Sequence, residues 1–194
     1  MLKLSAFCDI MVVFTTIIVG GGTMWNKEET ACLTGHRPAK LPWFYNEEKE
    51  NCLRFKTDLE TIFTGAFEYG LKNYLVGMAE GFDMIGAETL IKLRKKHKAI
   101  KVFAIIPCKG QELKWKPEQQ KRYHKILKQC DDIVILSDTY TQTCMNDRNK
   151  YMVEHSSVVI ACCNGKPSGT RNTIRFAKES GCKVRIINPD DYKE

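Results

Sequence analysis

The segment Tyr74-Leu75-Val76-Gly77-Met78-Ala79-Glu80-Gly81-Phe82-Asp83 reads as a strand that runs through a tight turn straight into a helix. Tyr74 to Val76 is apolar and ends at glycine. Phe82 to Leu93 then places Phe82, Ile85, Thr89, Leu90 and Leu93 along one helical stripe. Gly77 and Gly81 allow a turn whose backbone N–H groups face outward at a helix N-terminus, an arrangement that attracts anions. Gly-x-Gly-x-x-Gly is not the pattern here, and no Gly-Lys-Ser/Thr follows, so hydrolysis of the P-loop kind is not indicated. Asp83 reads either as a first-turn partner of the helix dipole or as an acceptor for ligand hydroxyls or the Arg37 loop.

Outward from this segment the same unit repeats. Thr30 to Leu33 is a short apolar run ending in Thr34-Gly35-His36-Arg37. Glu47 to Tyr69 carries apolar residues at helical spacing and stops at Gly70. Ile100 to Ile106 is a continuous apolar run, as in a buried parallel strand. Pro117 to Gln129 reads as a helix with proline in its first turn. Ile133 to Leu136, Val158 to Cys162 and Val184 to Ile187 read as strands. Asn149 to Glu154 reads as a short helix, and Gly169 to Ser180 as a helix stopped by Gly181. The longest irregular connection expected is Cys108 to Trp115, as a lid or a plain excursion. Strands alternating with helices predict an α/β domain with a mostly parallel sheet flanked by helices.

Four polar motifs then stand out as candidate ligand-binding residues, each expected just past a strand. They are Thr34-Gly35-His36-Arg37, Gly77 to Asp83 with Ala79, Glu80 and Gly81, Asn146-Asp147-Arg148-Asn149, and Ser168-Gly169-Thr170-Arg171-Asn172-Thr173. In such a fold the carboxyl ends of the strands share one edge, so the motifs should converge. Arg37 and Arg148 would serve as fork-shaped phosphate ligands. Thr34 offers a hydroxyl, and Ser168 serves either as a helix cap or as a phosphate ligand, with Lys166 in the glycine-rich loop before it. No carboxylate or nucleophile pairs with His36 in sequence, so it joins the set as a lining residue and not a catalytic one. Trp115 and Tyr140 read as packing aromatics or base-stacking ones.

Composition sets outer limits. A chain of 194 residues with 43% apolar content suits one domain with a full core. A net charge of +7 favours phosphate or nucleic-acid partners without requiring either. Arg94, Lys95, Lys96 and Lys98 complement a helix C-terminus, and the basic residues from Lys109 to Lys125 mark a solvated helix face, with a nucleic-acid surface as the alternative. Nine cysteines without Cys-x-x-Cys spacing, several inside apolar runs (Cys32, Cys162, Cys182), indicate reduced thiols and a cytoplasmic protein. Metal-site spacing is absent. Residues 1–23 differ from the rest. Ile10 to Val19 is apolar but about half the ~20 residues a membrane span requires. Gly20-Gly21-Gly22-Thr23-Met24 is what a ribosome-binding site and start codon would give if translated in frame. The extension is therefore taken as a start-site artefact, with the domain covering 24–194.

Taken jointly, Gly77-x-Ala79-x-Gly81-x-Asp83, Arg148-Asn149 and Ser168-Gly169-Thr170 resemble the SLOG superfamily, which includes the DprA (Smf) and LOG proteins. The YpsA-like branch is the nearest resemblance, through Thr34-Gly35-His36-Arg37, Gln120-x-Arg122-Tyr123, Arg148-Asn149-x-Tyr151-Met152 and Ser168-Gly169-Thr170-x-Asn172-Thr173. The resemblance covers Thr30 to Pro189. It implies a single Rossmann-like domain and a pocket for a nucleotide-derived, ADP-ribose-like small molecule, with no resident cofactor. It also suggests a binding or sensor role, regulatory in bacterial cell division or stress. Single-stranded DNA binding of DprA type and LOG-like nucleotide N-glycosidase activity are the alternatives. Partners expected are that small molecule or nucleic acid, with no membrane; a homodimer is left open. LOG enzymes carry a glutamate where Thr173 stands, which argues against phosphoribohydrolase chemistry and leaves no residue assigned as catalytic.

Overall fold

Six short apolar runs form one sheet in which every neighbouring pair is parallel. The computed structural model describes residues 25–193, so the expected extension at 1–23 lies outside the described residues. The strands are β1 (Thr30–Gly35), β2 (Asn73–Val76), β3 (Lys101–Ile106), β4 (Asp132–Ile135), β5 (Val158–Cys162) and β6 (Lys183–Ile187). They lie in the order β4-β3-β2-β1-β5-β6. The helices between them are α1 (Glu50–Glu68), α2 (Phe82–Leu93), α3 (Pro117–Leu127), α4 (Cys144–Glu154) and α5 (Gly169–Glu179). The expected Rossmann-like α/β architecture is the one observed, and the sheet is parallel throughout.

Alternation along the strands feeds two cores. Ala31 and Leu33 face the layer of α1, α2 and α3, while Cys32 faces the layer of α4 and α5. On α1, Cys52, Phe55, Leu59 and Phe63 recur at helical spacing and are fully buried. The α2 helix departs from the single stripe expected of it: Glu88 and Lys92 alone on it escape burial. Gly86 allows this closeness, since a Cβ there would stand 2.6 Å from Leu33 Cδ1. By contrast β6 exposes Lys183 and Arg185, charges that guard an edge strand against further pairing.

Two expected boundaries shift with physical reason. The α4 helix begins at Cys144, five residues before the expected Asn149, because Cys144, Arg148 and Met152 supply a buried face that starts earlier. Asn146 to Asn149 therefore lie inside a helix and not in a loop just past β4. The longest connection is residues 36–49, not Cys108 to Trp115. It holds a 3-10 turn at Pro38–Lys40 and is pinned over α1 by Trp43, which is 1% exposed and packs 4.8 Å from Phe55. Glu47 joins this connection instead of α1. Its carboxylate accepts two bonds from Arg122 (2.6 and 3.0 Å), which also grips Glu88 (3.0 and 2.6 Å). Arg122 thus clamps α3, α2 and the 36–49 connection together.

Candidate functional site

Chain order runs outward from β1 to β4, then reverses so that β5 pairs with the other side of β1. In open α/β sheets the crevice at such a reversal, beyond the carboxyl ends of the strands, is where ligands bind. Register places Gly35 opposite Cys162 at that point. The loops leaving β1, β2 and β5 carry three of the four polar motifs.

The loop after β2 is built to stay in place. Met78 at φ 56° and Gly81 at φ 91° turn the backbone sharply into α2. A Cβ on Gly81 would lie 2.6 Å from the His36 carbonyl oxygen, and the Phe82 amide donates to that same oxygen at 3.2 Å. The loops after β1 and β2 therefore touch backbone to backbone. Asp83 caps the turn by accepting the Ala79 amide at 3.2 Å. Burial pushes the Asp83 carboxyl up from its ordinary range, and the positive charge of Arg148 opposes that rise.

Arg148 reaches the same loop from α4. It is 4% exposed, its Nη1 donates to the Gly77 carbonyl and its Nε donates to Asn149 Oδ1 at 2.8 Å. A Cβ on Gly77 would collide with this guanidinium. Asn149 Nδ2 donates onward to Thr173 Oγ1 at 3.0 Å, and Thr173 donates to the Gly169 carbonyl at 3.0 Å. One chain of hydrogen bonds thus runs Gly77, Arg148, Asn149, Thr173, Gly169. It ties the second, third and fourth motifs together across two helices. Thr173 is itself a link in that chain.

His36 makes the remaining connection. Its amide donates to Cys162 O at 3.1 Å, and the Asn164 amide donates to its Nε2 at 3.2 Å. The same Nε2 lies 3.0 Å from Asn164 Oδ1, so backbone and side chain of Asn164 both hold the ring. Burial lowers the His36 pKa, although its contact with Asn164 acts in the other direction. Asn164 escaped the sequence reading; its place two residues past β5 was the only signal available. Gln111 escaped as well. Its Nε2 donates to Met78 O and Tyr123 Oη, both at 3.3 Å, so the β3–α3 connection folds back over the β2 loop.

The polar groups of the four motifs thus divide by access. Thr34, Asp83, Arg148 and Thr170 are walled in. Arg37 and Gly169 are exposed, while Glu80 and Ser168 are partly so. Ser168 Oγ accepts the Arg171 amide at 3.2 Å and so is a helix cap. That cap leaves the Gly169 and Thr170 amides, which have no acceptor within the helix. Burial raises the Glu80 pKa, and the charges of Arg37 and Lys116 act against that rise. Trp115 packs edge-on against Tyr123 at 5.4 Å, whereas Tyr140 is 69% exposed. Beyond the Asn149–Thr173 bond, a groove of about 320 Å³ continues between α4 and α5 past Asn146, Lys150 and Arg175. Among the described residues no group of three or more His, Cys, Asp or Glu side chains could hold a metal ion. The described cysteines are all free. No helix among the described residues is long and apolar enough to cross a membrane.

Residues 31–192 match the family model described as the YspA SLOG family. The chain belongs to this SLOG family. Within sequence relatives, it is 28% identical over 146 residues to the SPbeta prophage-derived protein YoqJ of Bacillus subtilis, covering 68% of this chain and 84% of that one. It is 29% identical to a UPF0398 protein of Bacillus licheniformis, covering 83% and 91% of the two chains. Among solved structures, DprA of Streptococcus pneumoniae superposes with a TM-score of 0.56 at 19% identity, covering 82% of this chain. This SLOG protein spans 50% of that DprA chain. DprA of Helicobacter pylori, whose structure describes its binding of single-stranded DNA, gives a TM-score of 0.55 at 17% identity, with 84% and 69% covered. These two likenesses establish the shared Rossmann-like core.

Proposed function

We propose that this SLOG protein is a cytoplasmic binding or sensor protein for a nucleotide-derived, phosphate-bearing ligand of ADP-ribose type. The reading rests on one observation: the bond chain from Gly77 through Arg148, Asn149 and Thr173 to Gly169 fixes the β2 and β5 loops as one wall at the sheet's reversal. Arg37 and Gly169, at the first position of α5, remain open beside that wall. A rigid wall with exposed donors suits a phosphorylated ligand, because the donors are aimed before the ligand arrives. Binding without hydrolysis fits the carboxylates. Asp83 is buried as a loop cap, Thr173 replaces the LOG glutamate, and Glu179 lies at the far end of α5. Of the two carboxylates in the loop motifs after β1, β2 and β5, Glu80 is the partly open one.

Calorimetry with ADP-ribose and AMP tests the reading. Saturable binding is expected, weakened by Arg37→Ala, with no free base released from AMP. Release of base that disappears in Glu80→Gln would make the protein an N-glycosidase instead. The likeness to DprA favours a second reading, in which the same loops hold the backbone phosphates of single-stranded DNA. Oligonucleotide affinity falling steeply with salt, and exceeding that for any mononucleotide, would select it.

A further inference from the structure

Beside the loops already described, on the α1 face of the crevice, lies a second cleft of about 560 Å³. Its walls come from the 36–49 connection, the start of α1, the loop after β5 and the chain after β6. Four lysines line it, Lys40, Lys49, Lys166 and Lys193, against a single carboxylate, Asp190. Asp190 is already matched by Lys193 at 3.0 Å, and Lys40 donates to the Pro167 carbonyl at 3.3 Å. Lys49 and Lys166 have no carboxylate within ion-pair distance among the described residues.

Two independent features indicate what the lysines could hold. The first is Asn51, which lines the cleft while only 3% exposed, and whose Oδ1 has no hydrogen-bond partner. An orphaned buried acceptor is costly, and a donor from solution such as a sugar hydroxyl would satisfy it. The second is the start of α1. Lys49 is its N-cap and provides no side-chain bond, so of the first-turn amides those of Glu50 and Asn51 have no acceptor within the helix, while Cys52 donates to the Lys49 carbonyl. An anion there would supply one. Phe44 stands at the rim, 58% exposed and held at φ 53°, a backbone region that phenylalanine rarely adopts. Packing does not explain so exposed a ring, and a base could stack on it.

We propose that this cleft is a second nucleotide subsite, holding a phosphate among Lys40, Lys49 and Lys166, a ribose hydroxyl at Asn51 Oδ1 and a base against Phe44. It shares with the function proposed above only the chemical class of its ligand, because the residues differ. The two sites meet at Asn164, which lines the cleft and also bonds His36. A ligand with two ribosyl phosphate halves could span both.

Amide and side-chain NMR titrations of the whole chain with AMP, ribose 5-phosphate and inorganic phosphate separate the outcomes. The subsite predicts that AMP shifts the Asn51 side-chain amide and the Phe44 ring signals. It also predicts that Lys49→Ala/Lys166→Ala lowers the affinity at those signals about tenfold or more, as the loss of charge-assisted bonds requires. Phe44→Ala should weaken AMP but leave ribose 5-phosphate unchanged, and an unaltered melting temperature would show that each variant folds. Shifts confined to Gly77–Gly81 and Gly169–Thr170, unaffected by the lysine pair, would overturn the subsite and leave the first site standing. Shifts confined to Asn51 and Phe44 would do the reverse. Silence at both sets would sink both.

Discussion

The turn Gly77–Gly81 and the loop Asn164–Gly169 look alike as sequence. Each leaves a strand, carries two glycines and opens a helix. In the fold they are opposites. A Cβ on Gly77 or Gly81 would strike a guanidinium or a backbone carbonyl, whereas one on Gly165 or Gly169 would meet nothing within 4 Å. The first turn is buried save for Glu80, and residues 165–167 are exposed. Glycine in the β2 turn is thus demanded by packing, whereas in the β5 loop Gly165 is set by its φ of 78° and Gly169 stands in open space. The turn sets the wall, and the loop is free to answer a ligand.

The largest expected effect strikes the turn. Gly81→Ala adds a Cβ 2.6 Å from a backbone oxygen at φ 91°, so both sterics and conformation oppose it. A loss of about 3 kcal/mol or more in denaturant unfolding is expected. A loss below about 1 kcal/mol would erase the contrast between the two regions.

Arg148→Ala should follow, at about 2–4 kcal/mol, because it strips the Gly77 carbonyl of its donor and leaves Asp83 buried without a nearby counter-charge. The effect should depend on pH. The Asp83 carboxyl is raised in the fold, so its contribution favours folding below the ordinary aspartate value and is lost as pH rises through its folded value. Removing Arg148 takes away the charge opposing that rise. The stability gap between variant and parent should therefore widen on going from acid to neutral pH, and a gap independent of pH would show that Asp83 is not part of the cost.

Arg37→Ala sharpens the comparison from the other side. The side chain is exposed, so unfolding should change by less than about 0.5 kcal/mol. Affinity for AMP or ADP-ribose should nonetheless fall about tenfold by calorimetry. Equal losses of stability and affinity would return Arg37 to the wall.

Gly169→Ala should have the smallest effect. Open space at the first position of α5 and an ordinary φ predict a stability unchanged or raised by up to about 1 kcal/mol. A loss comparable to that of Gly81→Ala would mean that the β5 loop packs as tightly as the β2 turn.

Much of this molecule was legible in its residues. Short apolar runs and period-3.6 patterns, with glycine and proline as punctuation, mark all six strands and the extent of α2, since burial on one or both faces writes itself into local sequence. The glycine turn into α2 was equally plain, because a positive φ leaves few residue choices. Access was not legible. Arg37 and Arg148 each stand in a polar motif, yet one reaches solvent and the other is sealed behind Gly77. The pair Lys49 and Asn51, Lys166 and Lys193 are far apart in the chain, and the sheet's reversal between β1 and β5 gathers them. The sequence alone determined which segments are strands and helices, and that its polar turns should share one edge. Tertiary structure alone decided which of those polar groups face the ligand, because burial of a side chain depends on elements that meet it across long separations along the chain.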